Sequence, residues 1–217
     1  MQDNTRTKTE RKFWGKNASG YDRSIIEKYW KIYPSLLDKI AQDVGTGGAV
    51  LEVATGTGLV ALEIASAAEQ VHAIDISPQM IDEAKKKVEV GGIDNVAFSV
   101  EDAYALPFGD GMFDTVVCNN ALHNMKHPED ALSEIRRVLK PDGRFIAVIA
   151  GVGESLKFKI ALTISTLVGQ LPVFHKLNLD EFADFIDKSG FTVATKDRLK
   201  HPKDRMALLY VNSKKEE

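Results

Sequence analysis

The sequence predicts an α/β fold: one doubly wound sheet of seven strands, mostly parallel, with an antiparallel pair at its C-terminal end. Three observations carry this. From Ala49 the chain alternates short apolar runs with helical patterns, and parallel neighbours need such crossovers. The first strand-to-helix junction is a glycine loop, Ala54-Thr55-Gly56-Thr57-Gly58. The last two apolar runs, Phe191–Leu199 and Met206–Asn212, are joined by a short loop containing His201-Pro202, so they must pair antiparallel.

The elements follow in order. Polar tails, up to about Glu10 and from about Ser213, are expected to fray. Lys12 to Val44 has a helical pattern, in which Pro34 suits a first turn and Leu36, Leu37 and Ile40 share a face. Ala49–Ala54 is predicted as a strand and Gly58–Glu69 as a helix that turns Leu62 and Ala65 toward the sheet. Val71–Ile76 is a strand, and Ser77-Pro78 opens the next helix as N-cap and first-turn residue. Val96–Glu101 and Phe113–Cys118 are strands. A helix runs from Pro128 to Leu139, and Lys140-Pro141-Asp142-Gly143 is a turn into the strand Arg144–Ala150. Glu154–Gln170 reads as an extra helix. Asn178-Leu179-Asp180-Glu181 has the form of a capping box, opening a helix that stops at Gly190.

The chain divides into four parts of one domain. These are a helical cap over 1–44, a ligand-binding core over 45–150, a lid-like insertion over 151–177, and a helix with the strand pair over 178–217. With 217 residues, 44% apolar and 27% charged, the composition is that of a folded globular chain. The net charge of −3 gives no electrostatic reason for a nucleic-acid partner. One cysteine, Cys118, excludes an internal disulfide and a cysteine-built zinc site, and fits a reducing compartment. The polar N-terminus lacks the apolar core of a signal peptide. The region Ile160–Phe174 is too short and too polar to span a bilayer. The expected location is the cytoplasm.

The glycine loop sits where a doubly wound sheet binds ligands. Gly56 and Gly58 permit a tight turn and close approach of a ligand, and the next helix offers free N–H groups. Any strand-turn-helix junction can use glycines, so position has to strengthen the reading. Asp75 ends the second strand, where its carboxylate can accept from a ribose diol. Asp102 ends the third, where it or the backbone of Ala103 can reach an adenine edge. All three features open on one edge of the sheet.

The run Glu52-Val53-Ala54-Thr55-Gly56-Thr57-Gly58 resembles the acidic-residue-plus-GxG loop of class I S-adenosylmethionine-dependent methyltransferases, which have a Rossmann-like sheet. Ala73-Ile74-Asp75-Ile76-Ser77-Pro78-Gln79-Met80, Glu101-Asp102-Ala103 with Leu106-Pro107-Phe108, Phe113-Asp114-Thr115-Val116-Val117, and Arg137-Val138-Leu139-Lys140-Pro141-Asp142-Gly143 agree with it. Phe13-Trp14 with Tyr21-Asp22, and the block from Ala121 to Gly143, resemble the ubiquinone/menaquinone-type subgroup. The resemblance covers about Phe13 to Ala150. It implies S-adenosylmethionine as cofactor. Gly56 and Gly58, with Ala54 and Thr55 completing the loop, would lie under its methionine part, and Glu52 would orient the amino end. Asp75 would hold the ribose, and Ile76 and Met80 would sandwich the adenine. Asp102, beside Ala103, would accept from its exocyclic amine, and Asn119 would line the sulfonium side. Ala54 departs from the pattern by standing where the family has its first glycine.

Two other readings compete. Gly56-Thr57-Gly58-Leu59-Val60-Ala61 matches the GxGxxA fingerprint of nicotinamide-dependent oxidoreductases, which calls for no acid at Glu52 or Asp102 and expects more parallel strands after Ala150. A non-catalytic cofactor-binding module is the other. After the fourth strand, Asn119-Asn120-Ala121-Leu122 lacks the Asn/Asp-Pro-Pro-aromatic run of enzymes that methylate amide or base nitrogens, and no metal set is apparent. The expected acceptor is therefore a small or lipid-like molecule. Leu156, Phe158, Ile160, Leu162, Ile164, Leu167 and Val168 are apolar on more of the helix than one buried face needs. They predict a lid packed on the core, or else a wall for a lipophilic acceptor or a surface touching membrane. Near the opening, His123 is the candidate base and Tyr21 a candidate catalytic or gating residue, ahead of His127 and His175.

Overall fold

Side chains alternate across each strand, so a strand buried on both faces must be apolar at nearly every position. The computed structural model, which describes residues 4–29, 31–167, 175–202 and 206–216, builds such a sheet. The helices are α1 (Asn4–Gly15), α2 (Tyr21–Tyr29), α3 (Tyr33–Val44), α4 (Leu59–Ile64), α5 (Pro78–Gly91), α6 (Pro128–Val138), α7 (Leu156–Leu167) and α8 (Leu179–Asp187). The strands are β1 (Ala49–Val53), β2 (Gln70–Asp75), β3 (Val96–Val100), β4 (Phe113–Asn119), β5 (Leu139–Ala150), β6 (Phe191–Leu199) and β7 (Leu208–Lys215). Their spatial order is β3-β2-β1-β4-β5-β7-β6. The first five run parallel, and β7 enters antiparallel between β5 and β6.

Each face of the sheet carries its own core. Leu51, Val53, Val116, Phe145 and Ile149 pack with α6 and α8 residues such as Leu132, Ile135, Phe182 and Ile186. Val50, Val71, Val117, Ile146 and Tyr210 pack with Leu36, Ile40, Val60 and Ile64 of α3 and α4.

Several local expectations change. The tails are built into the fold: α1 starts at Asn4, β7 runs to Lys215, and buried Ser213 donates to the Phe145 carbonyl at 3.1 Å. The helix after the glycine loop is short, and its inward face is Val60, Ala61, Ile64 and Ala65, with Leu62 only half-buried. The turn expected at 140–143 is an irregularity inside β5. Between the pairs Phe113–Leu139 and Thr115–Arg144 the register shifts, and Asp142 takes a φ of 58°. The capping box at Asn178 and Glu181 is formed in both directions. The extra helix is α7. Its predicted end at 168–170, with Val168, and the flanking Pro172 lie outside the described residues.

Candidate cofactor cleft

The strand order reverses between β1 and β4, so the loops after them diverge and leave a crevice at the C-terminal edge of the sheet. An open cleft of about 710 Å³ lies there. It is lined by Ala54 and Gly56 from the loop after β1, Asp75, Ile76 and Met80 after β2, and Asp102, Ala103 and Tyr104 after β3. Asn119, Asn120, Ala121, Asn124 and Met125 close it from the β4 side. Arg6, Glu10, Trp14 and Tyr21 close it from the N-terminal helices.

The loop is held by its own acids. Asp75 Oδ2 accepts from the Gly56 N–H at 2.9 Å, and Asp75 Oδ1 from the Ser77 N–H at 2.8 Å. Burial raises the Asp75 pKa to about 6. Glu52 lies beneath the loop, 1% exposed, and accepts from Thr55 Oγ1 at 2.5 Å. Burial pushes its pKa up to about 8. Thr55 is buried too, and its N–H donates to the Ile74 carbonyl at 2.8 Å. Glu52 and Thr55 thus support the loop from below instead of lining the cleft.

Three loop residues sit in the left-handed region: Ala54 at φ 58°, Gly56 at 57° and Gly58 at 81°. Gly56 faces the cleft, with the Tyr21 ring across from it: a Cβ there would meet Tyr21 Cε1 at 3.4 Å. Gly58 faces away. A Cβ on it would lie 2.8 Å from Phe98 Cζ and 3.1 Å from Ala84 Cβ, so it serves helix–sheet packing. Ala54 pays for a conformation that glycine adopts freely. Ala54→Gly is therefore expected to stabilise the fold by about 1 kcal/mol. In thermal unfolding that raises the midpoint by roughly 2–4 °C; an unchanged or lower midpoint would show the turn to be unstrained.

The far end of the cleft is latched by α1. Arg6 pairs with Asp102 Oδ2 and with Glu10 Oε2, the latter at 2.7 Å, and its guanidinium sits 4.1 Å from the Tyr104 ring centre. Asp102 Oδ1 also accepts from the Tyr104 N–H at 3.1 Å. Arg6, Glu10 and Trp14 were not singled out as a set by the sequence reading, although their i, i+4, i+8 spacing is one helical stripe. Asn120, Tyr104, Asn124 and Met125 were missed as well; Tyr104 stands two residues after Asp102.

Two amide oxygens are informative. Asn119 donates through Nδ2 to the Tyr33 hydroxyl at 3.1 Å, yet its Oδ1 is buried without a hydrogen-bond partner, as is Asn120 Oδ1. Buried acceptors left unpaired are costly and call for a donor. Tyr21 has its pKa pushed up to about 12 by burial, then by Asp75 and Asp22. Its hydroxyl stays protonated at neutral pH. His123 is not in this cleft. It is 3% exposed and lines a second, largely apolar cavity of about 430 Å³ with Leu122, Ile149, His175, Leu177 and Phe182.

The fit to the expected cofactor follows from these atoms. The carboxylates of Asp75 and Asp102 and the side chains of Asn119 and Asn120 line one cleft, and a ribose diol, an adenine amine and an ammonium group all need acceptors. Ile76 and Met80 supply apolar walls.

Comparison with known proteins agrees. A family model described as a methyltransferase domain matches residues 51–147. The ubiquinone/menaquinone biosynthesis C-methyltransferase of Brucella abortus (strain S19) is 31% identical over 190 residues, covering 76% of this chain and 69% of that one. The protein of the same description from Zymomonas mobilis is 31% identical over 160 residues, covering 65% of this chain and 66% of its own. The chain spans 66%, 54% and 52% of three such curated relatives. Among solved structures, phosphoethanolamine N-methyltransferase 2 of Haemonchus contortus, in complex with S-adenosyl-L-methionine, aligns with a TM-score of 0.73 at 20% identity, covering 96% of this chain and 60% of that one. At that identity the likeness speaks to the fold alone.

Proposed function

This chain belongs to the class I S-adenosylmethionine-dependent methyltransferases of the ubiquinone/menaquinone type, and from that premise we propose that it methylates a small, lipophilic acceptor in the cleft at the end of β1, β2 and β4. The observation that carries the reading is the set of acceptor-bearing side chains, Asp75, Asp102, Asn119 and Asn120, that lines the cleft beside a glycine turn.

In this reading Asp75 holds the ribose hydroxyls, and Ile76 and Met80 flank the adenine. Asp102 and the Ala103 backbone meet its edge once Arg6 shares or yields the carboxylate. Gly56 and Ala54 underlie the methionine part, and Asn119 and Asn120 take N–H donors. Bound S-adenosylmethionine supplies a methyl group already activated by its sulfonium. What remains for the protein is to hold the acceptor in line and exclude water. Trp14, Tyr21 and Met125 give an apolar wall with one hydroxyl donor, which suits a flat, apolar acceptor. Tyr21 orients by donating, because its raised pKa leaves it no basic form at neutral pH. His123 opens on the other cavity, and we give it no part in the transfer.

Calorimetry tests this directly. S-adenosylmethionine should bind and nicotinamide dinucleotides should not; the opposite would favour the oxidoreductase reading. Binding should also release protons. A cation in the cleft beside Asp75, with Glu52 beneath the loop, pulls down pKa values raised to about 6 and about 8, so near pH 7 protons pass to the buffer, mostly from Glu52. Affinity should then rise as the pH increases from 6 to 8, and the binding enthalpy should differ between phosphate and Tris. Glu52→Gln should remove most of that difference. For the ligand-free fold the sign is the reverse. Both carboxyls titrate above their unfolded values, so stability falls as the pH rises through these pKa values.

A further inference from the structure

Helix α7 has an unusual surface. Its sequence, Leu156–Leu167, carries two lysines and no acid. A helix this apolar is normally buried. Here none of its described side chains is buried, and Leu156, Ile160 and Ile164 are 74%, 53% and 56% exposed. Their i, i+4, i+8 spacing makes one stripe about 80° wide. Cations flank both edges. Lys157 is exposed on one side. On the other lies half-buried Lys159, together with Lys176, whose Nζ donates to Thr163 Oγ1 at 2.6 Å. The described ion pairs leave Lys157, Lys159 and Lys176 without a carboxylate, and the nearby acid Glu154 is engaged by Arg198. This cationic patch stands out on a chain of net charge −3.

We propose that the α7 face is a membrane-surface contact, taking an anionic lipid bilayer. An apolar stripe between lysine rows is the pattern of a helix lying in the headgroup plane. Its aliphatic tips enter the acyl boundary while the ammonium groups stay with the phosphates. A second copy fits less well. Helix α7 is about 18 Å long, and three side chains fall far short of the roughly 1,600 Å² of a standard protein interface. A like copy would also bring lysine rows together. A bilayer sets no minimum area. Among the described residues no helix is long and apolar enough to cross a membrane, and the proposed contact is made by the surface of α7. It does not depend on the methyl-transfer reading. It gives that reading a source for a lipophilic acceptor, because α7 follows β5 at the sheet edge on which the cleft opens.

The test is vesicle flotation of the full chain, with phosphatidylcholine vesicles and with vesicles of phosphatidylcholine and phosphatidylglycerol. The native protein should float with the mixed vesicles, less with the neutral ones, and less at high salt. Leu156→Ser, Ile160→Ser and Ile164→Ser together should lower partitioning roughly tenfold or more. Lys157→Glu with Lys159→Glu should abolish the preference for the mixed vesicles. Both variants should keep their melting temperature and their affinity for S-adenosylhomocysteine, since Leu156, Lys157, Ile160 and Ile164 are exposed, Lys159 is half-buried, and none of them lines the cleft. Three results would overturn the proposal: native protein that floats with neither vesicle, a serine variant that floats like the native protein, or a native dimer that the serine changes turn into a monomer without lipid binding. Should the serine variant fold poorly, the charge-reversed pair decides alone. Cofactor binding without flotation would remove the lipid surface and leave the methyl-transfer reading standing. Flotation without cofactor binding would do the converse.

Discussion

Gly58→Ala is expected to cost about 2–5 kcal/mol of folding stability, the sum of a left-handed alanine and an overpacked core contact. The methyl group would meet Phe98 Cζ at 2.8 Å and Ala84 Cβ at 3.1 Å, and the backbone φ of 81° would be strained even in open space. Ala84 is fully buried on α5 and has no room to retreat, while Phe98 is a half-buried residue of the edge strand β3 whose ring packs against the core. Gly92→Ala supplies the control. It shares a left-handed φ of 63° but has no atom within 4 Å of the added Cβ, so only the conformational part, about 1–2 kcal/mol, should appear. Urea unfolding of the ligand-free proteins compares the two. Equal losses would mean that the Phe98 contact relaxes and that Gly58 is needed only for its backbone. Gly56→Ala should behave differently again. Its Cβ would point into the cleft at ordinary distance from Tyr21, so cofactor affinity should fall more than stability.

That contrast marks where the sequence was legible and where it was not. Two glycines two residues apart look alike in a motif, and only the neighbours decide which faces ligand and which faces core. The sheet itself was readable, because parallel crossovers and a terminal hairpin leave strong periodic signals. Asp75 and Asp102 were placed at strand ends for the same reason, and both line the cleft. The N-terminus was not readable. Asn4–Lys12 has no apolar residue, so apolar periodicity is blind to it until Phe13-Trp14, and its seating uses polar contacts such as Arg6 with Asp102, 96 residues away. His123 looked close to the cleft because it follows β4 by four residues. In the short turn Leu122–Asn124 it instead lines the neighbouring cavity with His175, whose N–H donates to the His123 carbonyl. Turn geometry of that kind has no signature in residue type. Helix α7 was read as surplus apolar surface, with packing on the core the leading expectation. Leu156, Ile160 and Ile164 are exposed, so the stripe they form is surface and not part of that packing.

Asp75→Ala is expected to weaken S-adenosylmethionine binding by roughly 10- to 100-fold, the loss that follows from leaving hydrogen-bond donors of the ligand unpaired. The structure adds a second route to the same loss. Asp75 ties the Gly56 and Ser77 N–H groups together, so its removal also frees the turn on which the ligand lies. The two routes are separable. If the carboxylate bonds the ribose, a deoxyribose analogue of the cofactor should bind the native protein poorly, while Asp75→Ala should no longer distinguish the analogue from the parent. If the carboxylate only shapes the loop, both proteins should discriminate alike, and the two losses should add. Stability should change less than affinity at pH 7. The orphaned N–H groups are a cost, but a buried carboxylate whose pKa is raised to about 6 is itself a cost that the substitution relieves. Near pH 5 the native carboxyl is largely protonated and the relief shrinks, so the variant should look comparatively less stable there. Calorimetry with both ligands, and melting curves at the two pH values, give the answer. Native affinity in a folded Asp75→Ala protein would place the ribose elsewhere in the cleft.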